Sequence, residues 1–561
     1  MGTIERRTFL KGALVAGAGA VTALGASACA PQSSQTMAAT GEGDADQVNA
    51  AGRWSWETPP ASVEDFVETL DADIVVVGAG FAGVCAAQSA AEEGASVVVL
   101  EKTPQPNGRG LDIGNIGSSW YDEHPELAAL IDAADAERIH YEFAHSNVNR
   151  LLFRHWAQHS GEAFDHLADY MSSVHGIGAS LSATAQTERY DAREYFRELP
   201  TCLQFGQGWF DETGAWQMQG VVDKVAQWAQ ELGATFLFET PVEQLVVDDD
   251  GAVTGVIAQG KDGYIRVNAR VGVILACGDI SGSEEMLEAW CPLGARVGLS
   301  VYTPEGVNTG DGIKMGLWAG ADVQRGPAAP MIHPMGPGGP LFQSGDLGFL
   351  CVNRNGERYT CEFNNTPGMA NSRLNQPGGI SYTIFDGGFR EKALKIRPDN
   401  VNVMGMPIVD DTTQATIDEA VAAGDGLCLK ADTVEELAEL IGADPDTLVA
   451  TIDRWNALVA QGADDDMMMD GDRLTSLDQP PFYASFNPQA NLVVIYGLNC
   501  DSHSRVCDKD DRPIGGLYAI GNMQGNFFAV DYPLICPGIS HGRCMTFGYT
   551  LPKAMLKGEL I

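Results

Sequence analysis

Short, wholly apolar runs that stop at glycine mark the two ends of this chain, whereas the stretch between them alternates and repeats with a helical period. The first run, Ile74 to Val77, leads into Gly78, Gly80 and Gly83; an alanine-rich stretch follows, then a second run, Val97 to Leu100, that closes on Glu101. Uninterrupted apolar strands of this length belong to a parallel sheet covered on both faces. Val271 to Leu275, ahead of Ala276-Cys277-Gly278-Asp279, and Gly516 to Asn522 read as later returns to the same sheet, with a helix from about Gly538. Between them the pattern predicts helix over about 120 to 170 and an amphipathic helix over Val221 to Leu232. Three alternating segments follow, Thr235 to Glu239, Gln244 to Asp248 and Val253 to Gln259, with a turn at Asp249-Asp250-Gly251, and are expected to form a small β-meander. The first and last thirds then build one domain, and the middle is an insertion.

Residues 71 to 102 carry the sharpest chemical statement, because strand, glycines, helix, strand and acid occur together at the spacing of a nucleotide-binding βαβ unit. Gly78 permits the tight turn, Gly80 lets the backbone approach a pyrophosphate, and Gly83 lets the helix pack on its strand. The helix N-terminus offers free N–H groups and a partial positive charge to phosphate. Phe81 and Ala82 open that helix, and Glu101, followed by Lys102, is placed to accept hydrogen bonds from a ribose. The chain is expected to bind a dinucleotide. One fingerprint is visible, so no second site for NADH is expected.

Composition changes the picture in two ways. Net charge is −40, and the first 29 residues contribute +2 (Glu5 against Arg6, Arg7 and Lys11), leaving −42 for the remainder. Such a surface repels nucleic acid and anionic headgroups. The N-terminal Arg6-Arg7-Thr8-Phe9-Leu10-Lys11, ahead of an alanine- and glycine-rich run, reads as a twin-arginine export signal. That run is too short and too weakly apolar for a permanent span, so no transmembrane segment is expected. A location outside the cytoplasm follows, with Cys29 as an alternative lipid anchor and residues 30 to 70 as a flexible tether. The twelve cysteines show no CxxC spacing, so no metal site is signalled. Buried free thiols are expected, with a Cys500–Cys507 disulfide as the alternative. The run Asp464 to Asp470, with Met467 to Met469 inside it, lacks the ligand spacing of a calcium loop and is expected to be an exposed acidic loop.

From residue 71 to about 555 the chain resembles the flavoprotein subunits of fumarate reductase and succinate dehydrogenase in their single-chain form. The landmarks are GAGFAG at 78 to 83, the strand end at 276 to 278, Asn308-Thr309-Gly310-Asp311-Gly312, His333-Pro334, the turn Val352 to Tyr359, and Gly516 to Asn522. The resemblance implies an α/β fold: a discontinuous Rossmann-like FAD-binding domain (71 to 332 and 484 to 561) with an inserted α+β capping domain (333 to 483). It implies FAD, held by Gly108, Arg109, Gly110, Ala276, Gly278, Asp311, Gly521, Asn522 and Ile539 besides the fingerprint residues. No histidine lies in the segment 107 to 112, so covalent attachment is not expected.

The chemistry implied is hydride exchange between flavin and one carbon of a C=C bond conjugated to a carbonyl, with a proton exchanged at its neighbour. Electrons would come from a separate membrane or extracytoplasmic carrier. Departures from the family's pattern narrow the substrate. The arginine expected four residues after Glu362 is Thr366, the arginine after the last glycine strand aligns with Tyr532, and the paired histidines align with Leu492-Val493. His333 alone of the carboxylate-binding set is retained. Loss of cations, with Tyr496, Phe527, Phe528 and Tyr532 gained, points away from a dicarboxylate and toward a larger, less charged enone or enoate. By similarity to ketosteroid dehydrogenases of the same superfamily, Tyr532 is the first choice for proton donor and Tyr496 for carbonyl partner. Arg373 and Arg390 are carried as replacements for the lost arginine, against a commoner fate as surface ion-pair residues. His503 and His541 are expected to be structural. The competing functions are a dehydrogenase that introduces a C=C bond beside a ketone, and a flavin protein that only carries electrons.

Overall fold

The computed structural model describes residues 54–561 apart from 183–198, 207, 209, 298–299, 301–305, 334–346, 364–365, 401–406, 488 and 534. The export signal, Cys29 and the first part of the tether lie outside the described residues. The chain divides into two compact units, one comprising Trp54–Pro292, Tyr302–Met331 and Val493–Ile561, the other Leu293–Val301 and Ile332–Leu492.

The first unit is built on strands β1 (Glu68–Val77), β2 (Val97–Leu100), β3 (Thr235–Leu237), β4 (Val242–Val247), β5 (Val253–Gly260), β6 (Gly263–Leu275), β7 (Arg505–Cys507) and β8 (Pro513–Ala519). They form one sheet in the order β7-β8-β6-β1-β2-β3, with β5 also pairing β6 and β4 pairing β5. The core β8-β6-β1-β2-β3 is parallel. Val77 pairs with Leu100 and with Leu275, and Leu275 with Ala519, so four strands end in register. Their carboxyl ends make the edge at which an open α/β sheet binds ligands.

Helices α1 (Phe81–Glu92), α2 (Arg150–His175), α3 (Gln217–Glu231), α4 (Asp311–Trp318) and α5 (Ile539–Lys557) belong to this unit. In α1 every residue from Phe81 to Ala91 is buried, which is why its sequence shows small residues all round rather than a polar face. The Ser89 hydroxyl donates to the Tyr549 carbonyl at 2.7 Å, tying α1 to α5. A single apolar core joins Val76, Val99 and Ile274 of the sheet with Phe164 of α2, Val222 of α3 and Phe547 of α5.

Two expectations are corrected here. Thr235–Leu237 is not part of a meander; β3 pairs parallel with β2 and extends the main sheet. Alternation reports a strand's faces and not the direction of its neighbour. The meander is instead β4-β5-β6, and β6 runs on for 13 residues to serve both it and the parallel core. The second concerns the expected tether, of which Trp56 is anchored and β1 takes up the end, whereas residues 57 to 62 are exposed. Trp56 is buried, its ring 4.6 Å from that of Trp290, and Trp318 Nε1 donates to its carbonyl at 2.8 Å.

The second unit holds a four-stranded antiparallel sheet, in the order Cys351–Asn353, Ser381–Asp386, Phe482–Phe486, Cys428–Ala431, flanked by helices. Its main core gathers Leu350, Ile384, Leu437, Leu448, Trp455 and Ala484. Within it Arg358 forks to Glu362 at 2.6 Å and Asp464 at 2.7 Å and stacks on Trp455 at 4.8 Å. Burial pushes the Glu362 carboxyl up to about 7. Asp464 is therefore a buried anchor that also accepts the backbone N–H of Met467 and Met469, at the base of a loop whose Asp465, Asp466, Met468 and Asp470 are exposed as expected. No group of side chains among the described residues could hold a metal ion. All the described cysteines are free, Cys500 and Cys507 included, so the disulfide alternative falls. No helix of the described residues is long and apolar enough to cross a membrane.

Candidate active site

A cleft of about 450 Å³ opens where the parallel strands of the first unit end. Its floor is the glycine turn. Gly78 has φ +102, and a Cβ there would lie 2.6 Å from the Ala276 carbonyl oxygen; a Cβ on Gly83 would lie 1.9 Å from the oxygen of Gly78. Both positions therefore admit hydrogen alone. Gly80 caps α1 with no side-chain hydrogen bond, so the first N–H groups of the helix face the cleft uncapped. Phe81, Ala82, Glu101, Lys102, Gly108, Arg109, Ala276, Gly278, Asp311, Gly521 and Asn522 line it as well.

Glu101 follows β2 with its carboxylate anchored, one oxygen accepting the Ala79 N–H at 2.7 Å and the other the Thr103 N–H at 2.8 Å. Lys102 donates to Asp311 at 2.9 Å, joining two residues expected at the cofactor. Gly108 is pressed against α3, where a Cβ would come within 2.5 Å of the Met218 carbonyl oxygen. Three expected residues stand apart from the lining. Gly83 serves packing; Gly110 accepts the Met218 N–H through its carbonyl; the Ile539 side chain is buried in the apolar core, directly before Ser540 and His541 of the lining.

Residues that the sequence reading did not assign to the cofactor also line the cleft, among them Gln105, Asn107, Trp216, Gln219, Asn308, Ser540 and His541. His541, expected to be structural, bonds through Nδ1 to the Asp112 carbonyl at 2.7 Å and meets Phe81 edge-on at 5.9 Å. Burial lowers its pKa, opposed by its hydrogen bond to the Asp112 backbone.

Behind Asn522 lies a buried polar chain. Asp279 is fully buried; it accepts the Ser281 N–H at 2.8 Å and the Asn522 amide at 3.2 Å, and burial pushes its carboxyl up to about 6. Asn522 Oδ1 accepts from Arg543 at 2.9 Å and from the Ser540 hydroxyl at 3.2 Å. The Ser540 N–H donates to the Tyr532 hydroxyl at 3.2 Å. Arg543 is buried over the rings of Phe527 and Phe528, at 4.9 and 4.8 Å, and burial lowers it to about 10. Phe527 and Phe528 thus pack under a guanidinium in the core, correcting their reading as pocket-lining residues.

Tyr532 stacks on Phe528 at 4.7 Å, and burial raises its phenol above the ordinary value, so it stays protonated. Tyr496 is differently placed. Its ring stacks on Trp290 at 4.9 Å and its hydroxyl donates to the Gln324 carbonyl at 3.4 Å, an arrangement that packing explains. In the second unit, His333 is half-buried with its Nε2 atom buried and unpartnered among the described residues, and desolvation lowers it to about 4, leaving it neutral. Arg390 donates to the Asp410 carbonyl, a surface contact. Arg373 is fully buried, so a surface ion pair is excluded for it.

Glycine turn, uncapped helix, anchored acid at the cleft wall and a cleft across four strand ends define a dinucleotide-binding flavoprotein, and these residues fit FAD. A family model described as an FAD binding domain matches residues 73–534, and the chain belongs to that family. It is similar to the vinyl phenol reductase of Lactiplantibacillus plantarum, 28% identical over 503 residues that cover 83% of this chain and 93% of the relative. It is equally similar to the 4-oxocyclohexanecarboxylate 2-dehydrogenase of Sinomonas cyclohexanicum, 28% identical over 85% of this chain and 91% of that protein. Among solved structures, the 3-ketosteroid delta1-dehydrogenase of Sterolibacterium denitrificans shares the fold, with a TM-score of 0.66, 19% identity, and coverage of 87% of this chain and all of that one. The protein is an FAD-dependent oxidoreductase acting on CH–CH bonds.

Proposed function

We propose that the protein is an exported reductase of an activated C=C bond, an enone or enoate of an aromatic or steroid-like molecule, with non-covalent FAD and electrons from a separate carrier. The observation that carries this reading is the buried Tyr532 phenol, hydrogen-bonded through Ser540 to the wall of the FAD cleft. Bound FAD supplies hydride exchange at one carbon of the C=C unit. Tyr532 holds the proton for the neighbouring carbon, and its elevated phenol keeps that proton until charge develops on the substrate. Ser540 and Asn522 orient it, and Asp279 and Arg543 hold Asn522. Tyr496, its hydroxyl engaged by Gln324, is left out of the catalytic assignment.

The similarity to a reductase of a vinyl compound supports the direction; the equal similarity to a 2-dehydrogenase supports the reverse reaction as the second reading. Export rests on Arg6-Arg7 and the run that follows, and a separate electron carrier on the single dinucleotide fingerprint. The test is anaerobic: the flavoprotein is reduced chemically, then mixed in turn with fumarate, urocanate, cinnamates and steroid enones while flavin absorbance is followed. Rapid reoxidation by an enone or enoate but not fumarate is expected. Reoxidation by fumarate would overturn the substrate class, and silence across the panel would favour the dehydrogenase.

A further inference from the structure

Phe528 and Tyr532 are close in sequence yet stack ring on ring at 4.7 Å, so the chain must reverse within Ala529 to Asp531. It does so by a turn in which the Asp531 N–H donates to the Ala529 carbonyl at 2.8 Å around Val530, whose φ is +70. A turn closed over one residue with positive φ at its centre is the rare, strained hand. For a β-branched residue the left-handed region is a genuine outlier, whereas Asn526, at φ +65 earlier in the same segment, is of a type that tolerates it. Burial does not account for the valine. Its side chain is only half-buried and stands outside the core that takes up Phe527, Phe528 and Tyr532.

Such a conformation persists only where its surroundings over-determine it. Those surroundings all belong to the first unit. His140 Nε2 donates to the Phe527 carbonyl at 2.7 Å, and the Asn149 N–H to the Asn526 carbonyl at 2.7 Å. The Gln324 side-chain amide donates to the Phe528 carbonyl at 3.3 Å, and the Val530 N–H to the Pro327 carbonyl at 3.3 Å. Gly326 crosses so close that a Cβ on it would lie 2.6 Å from the Ala529 Cβ. Beyond the turn, the Asp531 carboxylate accepts the Tyr532 N–H at 2.8 Å, and the Ser540 N–H donates to the Tyr532 hydroxyl at 3.2 Å. Each residue from Asn526 to Tyr532 thereby has a backbone group tied down, and the segment cannot relax the strain at Val530 by shifting as a whole.

We propose that Val530 is a positioning residue: the strained turn, clamped on both sides, fixes the Tyr532 phenol against the Ser540 N–H in the one pose from which it transfers its proton. This rests on, and deepens, the reading of Tyr532 as proton donor. Glycine would take up the same φ without strain, and strained backbone that is kept gathers where a reacting group must be held. The valine also narrows the backbone states open to the turn, which glycine would widen. A reacting group displaced by about 1 Å can lose a hundredfold in rate, so a looser turn is felt at the phenol rather than in the fold.

The experiment uses the FAD-loaded full chain as wild type, Val530→Gly, Val530→Asn, Tyr532→Phe and the Val530→Gly, Tyr532→Phe double variant. Thermal unfolding comes first: Val530→Gly should melt at or above the wild-type temperature, and a lower temperature would show an unstrained valine and overturn the proposal. Fluorine NMR of protein labelled with 3-fluorotyrosine then reports the pose, the Tyr532 line being the one missing from Tyr532→Phe. That line should be single in wild type and Val530→Asn, and broadened or split in Val530→Gly; an unchanged line in Val530→Gly would overturn the proposal. Reoxidation of the reduced flavin by cinnamate and by 4-phenyl-3-buten-2-one should slow about ten- to a hundredfold in Val530→Gly, and no further in the double variant than in Tyr532→Phe. Val530→Asn should stay within about threefold of wild type, because asparagine adopts the left-handed region. If it is as slow as Val530→Gly, the side chain and not the turn is responsible, and the proposal falls. A slow Tyr532→Phe beside a wild-type rate in Val530→Gly would sink the positioning role and keep the proton donor. An unchanged rate in Tyr532→Phe would sink the donor itself. If neither probe reoxidises the wild type, the reductase reading suffers and the fluorine line decides the turn alone.

Discussion

Replacing Asp279 by asparagine tests the buried network behind the cleft through its pH dependence. Asp279 has no exposed surface, and its carboxyl, ordinarily near 3.8, is pushed up to about 6, chiefly by burial. In the unfolded chain the group loses its proton near pH 4; in the folded chain it keeps it to about pH 6. Between those values the folded state binds more protons, so stability is highest at low pH and falls as pH rises through about 6. At about 1.4 kcal/mol per pH unit, the interval is worth about 3 kcal/mol. Asparagine does not titrate, so the wild-type stability minus that of Asp279→Asn should fall by about 2.4 kcal/mol between pH 4 and pH 7, the rest being lost below pH 4. Asparagine also places an amide donor where Oδ2 accepts the Asn522 amide, a pH-independent cost of roughly 1–3 kcal/mol that displaces the curve without tilting it. Urea unfolding of both proteins at half-unit pH steps measures the difference, in which other elevated acids such as Glu362 cancel. A difference that is flat, or that rises with pH, would refute the buried, proton-holding Asp279.

Tyr532→Phe keeps the stack on Phe528 but removes the hydroxyl, so stopped-flow reoxidation of the reduced flavin by substrate should slow by about 10²–10⁴-fold while the flavin spectrum is retained; an unchanged rate would reject the proton-donor assignment. Gly83→Ala places a methyl 1.9 Å from the Gly78 oxygen and forces α1 off its strand, so the purified protein should emerge without bound flavin, and a full complement of FAD would contradict the close packing. Arg358→Ala strands two buried carboxylates, Glu362 and Asp464, and should cost about 3–5 kcal/mol in denaturant unfolding at pH 8, less at pH 6, where Glu362 holds its proton. A loss independent of pH would count against that account.

The part of the site that a sequence shows is the part made by neighbours in sequence. Gly78 to Gly83 and Glu101 form a turn, a helix start and a strand end within one βαβ unit, and each lies where its residue type demands. Asp279, His541 and Arg543 belong to the other kind. His541 meets a carbonyl 429 positions earlier, and Asp279 meets an amide 243 positions later, so nothing local distinguishes them from a turn aspartate or a helix-start histidine. Ile539 follows a glycine that resembles a phosphate turn, yet the helix it opens turns that side chain into the core. An arginine usually lies at the surface, and nothing local marks Arg373 as buried; its neighbour Leu374 packs with Val297 and is bonded by Arg296, nearly 80 residues earlier.

The sheet order has a consequence for how the chain is made. β1 is complete at Val77, but its partner β6 begins at Gly263, and β8, which closes the parallel core, begins at Pro513. A ribosome working at about 5–20 residues per second spends roughly 10–40 s between β1 and β6 and longer before β8 and α5 arrive. Through that time the apolar Ile74–Val77 has no strand on one side and α1 lacks the helix that covers it. The unpaired edge of β1 stays open to other chains through that interval, and losing the last 20 residues, which include most of α5, should be far more damaging to yield than losing as many before Trp54.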